Sequence, residues 1–149
     1  MIAIGSDHAG FGLKQEILEY FEEQGIEYTD LGTYDTESCD YPIYGEKVAR
    51  AVTSGQAKYG IAICGTGNGI AMTANKIKGI RCALCSDSYS AELARLHNDA
   101  NMLAIGSRVT GDGLARMIVE SFLNTQFAGG RHIRRVGMIG ALEERERNG

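Results

Sequence analysis

The chain has 149 residues, 44% hydrophobic and 23% charged, with a net charge of −4. That length suits one domain, residues 1–149, with its own hydrophobic core, which excludes a disulfide-stapled miniprotein, and the composition excludes a disordered chain. No run approaches the roughly 18 apolar residues that span a bilayer, and the acidic balance speaks against nucleic acid as a partner while leaving room for a basic patch serving a small phosphorylated ligand.

Met1-Ile2-Ala3-Ile4-Gly5 enters strand-like sequence at once, without the basic start and long apolar core of a secretory signal, so a cytoplasmic home is expected. Ile2 to Ser6 reads as a buried strand, followed by a helix with Leu13, Ile17, Leu18 and Phe21 on one face and Gly25 as its stop. Ile26 to Leu31 reads as the second strand. A polar loop then leads to Pro42, in the first turn of a helix carrying Tyr44, Val48, Ala51 and Val52 that ends near Ser54-Gly55. Tyr59 to Cys64 is the third strand, Ile70 to Lys76 a short helix and Ile80 to Cys85 the fourth strand. Asp87 or Ser88 caps the next helix, with Tyr89, Leu93 and Leu96 as its apolar positions; it runs out near His97-Asn98-Asp99. Met102 to Ile105 is the fifth strand, Leu114 to Phe122 an amphipathic helix, and Arg131 to Arg147 a last helix after Gly129-Gly130. Strands and helices in alternation imply a Rossmann-like five-stranded parallel sheet covered on both faces, a three-layer α/β/α sandwich with right-handed crossovers.

Ligands of such sheets bind beyond the carboxyl ends of the strands. Those ends deliver Ser6-Asp7-His8-Ala9-Gly10, Cys64-Gly65-Thr66-Gly67-Asn68-Gly69, Ser86-Asp87 and Gly106-Ser107-Arg108 to one rim. The loop from Gly65 to Gly69 exposes backbone N–H groups at a helix start and suits an anion or a developing oxyanion. It misses the nucleotide fingerprints: G-x-G-x-x-G needs glycine where Ile70 stands, and the P-loop ending is absent. Asp87, 22 residues beyond Gly65, keeps a dinucleotide reading open as the ribose acid.

Cys64, beside those amides, reads as a base or nucleophile, or as a small buried hydrophobe. His97 reads as an acid/base with Asn98 and Asp99 beside it, or as a merely exposed helix end. Arg131 and Arg135 share a helical face and suit a phosphate, although a solvated or subunit-pairing face reads equally well. Cys82 and Cys85 have C-x-x-C spacing inside a strand, where positions three apart face opposite ways, so they read as core packing; all four cysteines are expected to be thiols.

Ser6-Asp7-His8-Ala9-Gly10, Asp40-Tyr41-Pro42, Ile63-Cys64-Gly65-Thr66-Gly67-Asn68-Gly69, Ala74-Asn75-Lys76, Arg95-Leu96-His97-Asn98-Asp99-Ala100-Asn101, Gly106-Ser107-Arg108 and Gly129-Gly130-Arg131-His132 together resemble the type B ribose-5-phosphate isomerase family, which includes galactose-6-phosphate and allose-6-phosphate isomerases. The resemblance runs from the first strand to the last helix. It implies an aldose–ketose isomerase of the non-oxidative pentose phosphate pathway, with no cofactor, working through an enediolate; no His/Cys/Glu set has metal-ligand spacing, so no metal is expected. By the same resemblance Cys64 is the base, Thr66 and the amides of Gly65, Gly67, Asn68 and Gly69 hold the enediolate, and His97 opens the furanose ring. Asp7, His8 and Asn98 bind hydroxyls, and Arg108, Arg131 and Arg135 bind phosphate and substrate. One branch of the family has a glutamate base directly after the glycine loop; Ile70 stands there in this chain, which leaves Cys64. The family also implies a homodimer or a tetramer, with the last helix at the interface and sites shared between chains.

Three rivals remain at this point. A 6-phosphohexose isomerase keeps the same chemistry on a longer sugar. A non-catalytic sugar-phosphate sensor keeps the loop and arginines but has no need of both Cys64 and His97. A cysteine phosphatase requires an arginine where Ile70 stands.

Overall fold

The structure, a computed structural model, describes residues 1–148. Its elements alternate as β1 (Ile2–Ser6), α1 (Phe11–Gln24), β2 (Tyr28–Asp30), α2 (Tyr41–Thr53), β3 (Tyr59–Cys64), α3 (Asn68–Ala74), β4 (Cys82–Leu84), α4 (Ser88–Leu96), β5 (Met102–Gly106), α5 (Asp112–Asn124) and α6 (Arg131–Asn148). All five strands run parallel in the order β2-β1-β3-β5-β4.

Side chains of alternate strand positions feed two cores. Ile2, Ile4, Ile61, Ile63, Leu103 and Ile105 pack with Ile17 and Phe21 of α1, Ala91 and Ala94 of α4, and Ile118 and Phe122 of α5. On the other face Ala3, Ala62, Met102 and Ala104 meet Val48 and Ala49 of α2 and Ile70 and Ala74 of α3. The small residues on that face let α2 and α3 approach the sheet closely. Cys82 belongs to this second core and Cys85 to the first, the opposite facing expected of strand positions three apart.

The outer strands are shorter than their apolar runs. Ile26 and Leu31 flank β2, and Ile80 is taken by a turn in which its N–H donates to the Ile77 carbonyl (3.1 Å). An edge strand has one neighbour to pair with, so its ladder ends where that neighbour turns away. Helix α4 also differs from expectation: Tyr89 is 70% exposed, and the buried stripe is Ala91, Ala94 and Arg95. Asp87 is its cap, accepting from the Ser90 N–H (2.6 Å) and hydroxyl (2.8 Å). Helix α3 starts at Asn68, inside the glycine loop, and α5 starts at Asp112.

His132 is the buried side chain of α6, while Ile133, Met138, Ile139 and Leu142 stand exposed. The helix reaches back to the domain through polar contacts, Glu143 accepting from the Gly79 N–H (3.2 Å) and Arg147 donating to the Lys76 carbonyl (2.9 Å). Between them lies an open groove of about 740 Å³ lined by Ile80, Cys82 and Ala83 on one side and Ile139 and Leu142 on the other. Among the described residues, no helix is long and apolar enough to cross a membrane.

Candidate active site

The carboxyl ends of β1, β3 and β5 lie side by side, and their loops are stitched together. Asp7 N–H donates to the Ile63 carbonyl (3.2 Å), Ser107 N–H to the Cys64 carbonyl (2.9 Å) and Arg108 N–H to the Gly65 carbonyl (2.9 Å). The Ser107 hydroxyl donates to the Ala9 carbonyl (2.8 Å), joining the β5 loop to the β1 loop. Gly106 permits this closeness, since a Cβ there would stand 2.5 Å from the Thr66 backbone.

Cys64 is 4% exposed, and its Sγ accepts a hydrogen bond from the Gly67 N–H (3.2 Å). A donor aimed at the sulfur favours negative charge on it. Gly67 has φ of 83°, a left-handed conformation that bends the loop back over the sulfur and that glycine adopts without strain. Thr66 is exposed, its Oγ1 accepting from the Asn68 N–H (3.2 Å). Arg108 lies against Gly65, its Nη1 3.1 Å from where a Cβ would be. Tyr41 covers Gly69 in the same way, a contact that sequence reasoning missed although Asp40-Tyr41-Pro42 stood out as a motif.

Asp7 is buried, with Oδ1 taken by the Gly10 N–H (3.0 Å), so one carboxylate oxygen holds the loop itself. His8 Nδ1 faces the Cys39 backbone, 3.1 Å from its nitrogen and 3.2 Å from its carbonyl oxygen, which orients the ring. Ile70 is fully buried in the core.

His97, Asn98, Arg131 and Arg135 are elsewhere. His97 caps the carboxyl end of α4, which runs back toward the amino end of the sheet. Its ring stacks on that of His132, with centroids 4.2 Å apart and planes 13° from parallel. Arg131 and Arg135 sit exposed on the first turns of the same helix, α6. The turn is anchored by Arg95, 4% exposed, which donates to Asp99 Oδ1 (2.8 Å) and to the carbonyls of Ala100 (2.7 Å) and Thr125 (3.2 Å). Its guanidinium lies 4.6 Å from the centre of the Tyr59 ring.

Gly60 pairs with Met102 at one end of the β3–β5 ladder and Cys64 with Gly106 at the other. At about 3.3 Å per residue those four steps span about 13 Å, with His97 beyond the amino end and Cys64 at the carboxyl end. One chain therefore carries two clusters of candidate residues on opposite rims: thiol, glycine loop, Asp7, His8 and Arg108 on one, His97, Asn98, Arg131 and Arg135 on the other.

The model of the ribose/galactose isomerase family matches residues 2–139. The chain belongs to that family. The ribose-5-phosphate isomerase B of Escherichia coli is 54% identical, with 97% of each chain covered. The structure superposes on that of ribose-5-phosphate isomerase B from Clostridium thermocellum with a TM-score of 0.96 at 53% identity, covering 97% of this chain and 98% of the other. For the ribose 5-phosphate isomerase of Thermotoga maritima the values are 0.92 and 49%, covering 94% and 97%.

Two further cysteines of this isomerase, Cys82 and Cys85, belong to the cores. Burial pushes the Cys82 thiol up to about 12, with Cys85 adding to it, and pushes Cys85 up to about 11, with Asp87 adding to it. Both stay protonated, as core sulfurs should. The dinucleotide reading fails on topology: β5 stands between β3 and β4, and Asp87 is engaged as a helix cap, its carboxyl held low by the Ser90 hydrogen bonds.

Proposed function

We propose that this isomerase interconverts D-ribose 5-phosphate and D-ribulose 5-phosphate, with Cys64 as the base and His97 as the ring-opening acid/base. The observation that carries the chemistry is the Cys64 sulfur held by the Gly67 N–H of the glycine loop at the carboxyl end of β3. The substrate rests on the relatives' names, and its phosphate suits a cytoplasmic enzyme.

In the reaction His97 gives a proton to the furanose ring oxygen as the anomeric hydroxyl loses its own. The C1–O bond to the ring breaks and a free aldehyde forms. Cys64 then takes the C2 proton, giving an enediolate whose charge on O1 is held by the amides of Gly65 to Gly69 and Thr66; the O2 hydroxyl proton passes to O1, the thiol returns its proton to C1, and the carbonyl is left at C2. Asp7, His8 and Asn98 fix the hydroxyls. Arg131 and Arg135 anchor the phosphate, Arg108 serves the substrate from the thiol side, and binding energy from these remote groups aligns the reacting carbons.

The two half-sites complete each other in a homodimer, the carboxyl rim of one protomer facing the amino rim of its partner. The exposed apolar residues of α6 and the groove beside β4 support such an interface. The test is kcat/KM on ribose 5-phosphate against allose 6-phosphate for wild type and Cys64→Ala. Preference for the pentose, with kcat lower by about 10²-fold or more in the variant and KM little changed, is the expected result. Preference for the hexose would transfer the same chemistry to the longer sugar; near-normal turnover without the thiol would remove Cys64 from the base role.

A further inference from the structure

His132 belongs to no step described so far. It is 9% exposed although its helix otherwise lies on the surface, and its ring stacks on that of His97. Two imidazoles 4.2 Å apart and 13° from parallel restrict each other. Rotation of His97 about its ring axis would break the stack, and a proton on each ring would place like charges in contact.

We propose that His132 is a positioning residue for ring opening: its imidazole, flat against that of His97, fixes the direction in which His97 presents its proton and keeps the pair from holding two. The proposal rests on the ring-opening role given to His97 above. Charges near the pair come from α6 and from the turn that follows α4. Helix α6 supplies Arg131 and Arg135; α4 supplies Arg95, which is bound to Asp99 of the following turn, and Arg81 ahead of β4 reaches the same carboxylate (3.5 Å). Burial, then His97, Arg131 and Arg135, hold the His132 imidazole below its ordinary value.

Ribulose 5-phosphate provides a readout that ring opening cannot touch. Its C5 oxygen carries the phosphate and cannot close a five-membered ring on C2, so the ketose is open-chain, and exchange of its C1 proton with solvent deuterium needs only the enediolate step. Turnover of ribose 5-phosphate needs both steps. His132→Ala should lower kcat on ribose 5-phosphate by about tenfold or more, while C1 deuterium exchange stays within about twofold of wild type. His132→Phe keeps a flat ring on His97 and should restore most of the turnover. The chain has three histidines, so their ring protons are readily followed by NMR. The wild-type pair should take up protons in two separated steps, and His132→Phe should leave His97 with a single step.

Equal losses of turnover and exchange in His132→Ala would mean a scaffold role and overturn the proposal, as would failure of Phe to restore turnover or independent one-step titration in the wild type. His97→Ala separates the underlying reading. If it depresses exchange as much as turnover, the ring-opening role of His97 fails. If it depresses turnover alone while His132→Ala changes neither, the positioning role fails by itself.

Discussion

Cys64 and His97 stand at opposite ends of the β3–β5 ladder, and this makes a complementation experiment decisive. Cys64→Ala and His97→Ala each remove one half-site function, so each pure variant should retain about 1% of wild-type activity or less. If a site is built from the thiol rim of one protomer and the histidine rim of its partner, a mixed dimer has one site with both lesions and one with neither. Unfolding the two variants together in equal amounts and refolding them gives mixed dimers as half the population, so activity should return to roughly a quarter of wild type. That is about 25-fold above either variant alone, well outside assay error. Carrying a different affinity tag on each variant allows the mixed dimer to be isolated, and it should show about half of wild-type activity. Isolated mixed dimers no more active than the parents would refute shared sites: with both residues acting within one chain, every site would carry a lesion.

Arg135→Ala should raise KM for the phosphorylated sugar, whereas Arg134→Ala, whose guanidinium lies against Met138 Sδ (4.0 Å), should be silent; equal effects in steady-state kinetics would contradict the anchor assigned to Arg135. In Gly106→Ala the new Cβ meets the Thr66 backbone, and overpacking of this kind should cost about 1–3 kcal/mol, lower the melting temperature by roughly 2–10 °C and reduce kcat as the loop shifts. An unchanged melting curve would show that the loop yields freely. Lys14 is fully buried, ion-paired to Asp30 (2.6 Å) and donating to the Thr33 carbonyl, so Lys14→Met, which takes the cation from Asp30 and this donor from the Thr33 carbonyl, should cost about 3 kcal/mol by urea denaturation. The core thiols give a pH signature. In the unfolded chain they lose protons near 9.0, whereas the fold holds Cys82 and Cys85 protonated to about 12 and 11. The folded state therefore binds more protons above pH 9, and stability falls as pH rises from about 9 to 11. Replacing both with alanine should flatten that fall in a series of thermal melts, and an unaltered slope would mean that the thiols are not desolvated.

The alternation of strand and helix was legible because both periods are local: Leu13, Ile17 and Phe21 mark a helix face, and the runs at Ile2 and Tyr59 mark buried strands. Strand order was not, because pairing is decided by which faces small residues leave open, and no local pattern places β5 between β3 and β4. The buried face of α4 escaped for a related reason. Tyr89 is the more apolar side chain, but Ala91 and Ala94 fit under α5, and Arg95 is buried by its hydrogen bonds rather than by hydrophobicity. Within the site, Cys64 and its loop could be read from one stretch of sequence. That His97 and Arg131 share a rim opposite the thiol follows only from the direction in which α4 runs. Tyr41 and His132 lay in recognised motifs, yet their contacts with Gly69 and His97 join positions 28 and 35 residues apart, and nothing local signals them.

The place of β5 also bears on the order in which this chain can fold. The last strand to leave the ribosome is an interior one, so until Gly106 has emerged, β3 has an unpaired edge and β4 has no strand to lie against. The first three strands can form a sheet early, with their helices on both faces, but that sheet ends in Ile61 and Ile63 uncovered by α5. A nascent chain paused in the second half would display an apolar edge open to pairing with another copy, the kind of surface that chaperones shield. Once β5 inserts, it closes both edges in one step and brings α5 down over the core, so the two halves of the sheet should gain protection from hydrogen exchange together rather than in sequence.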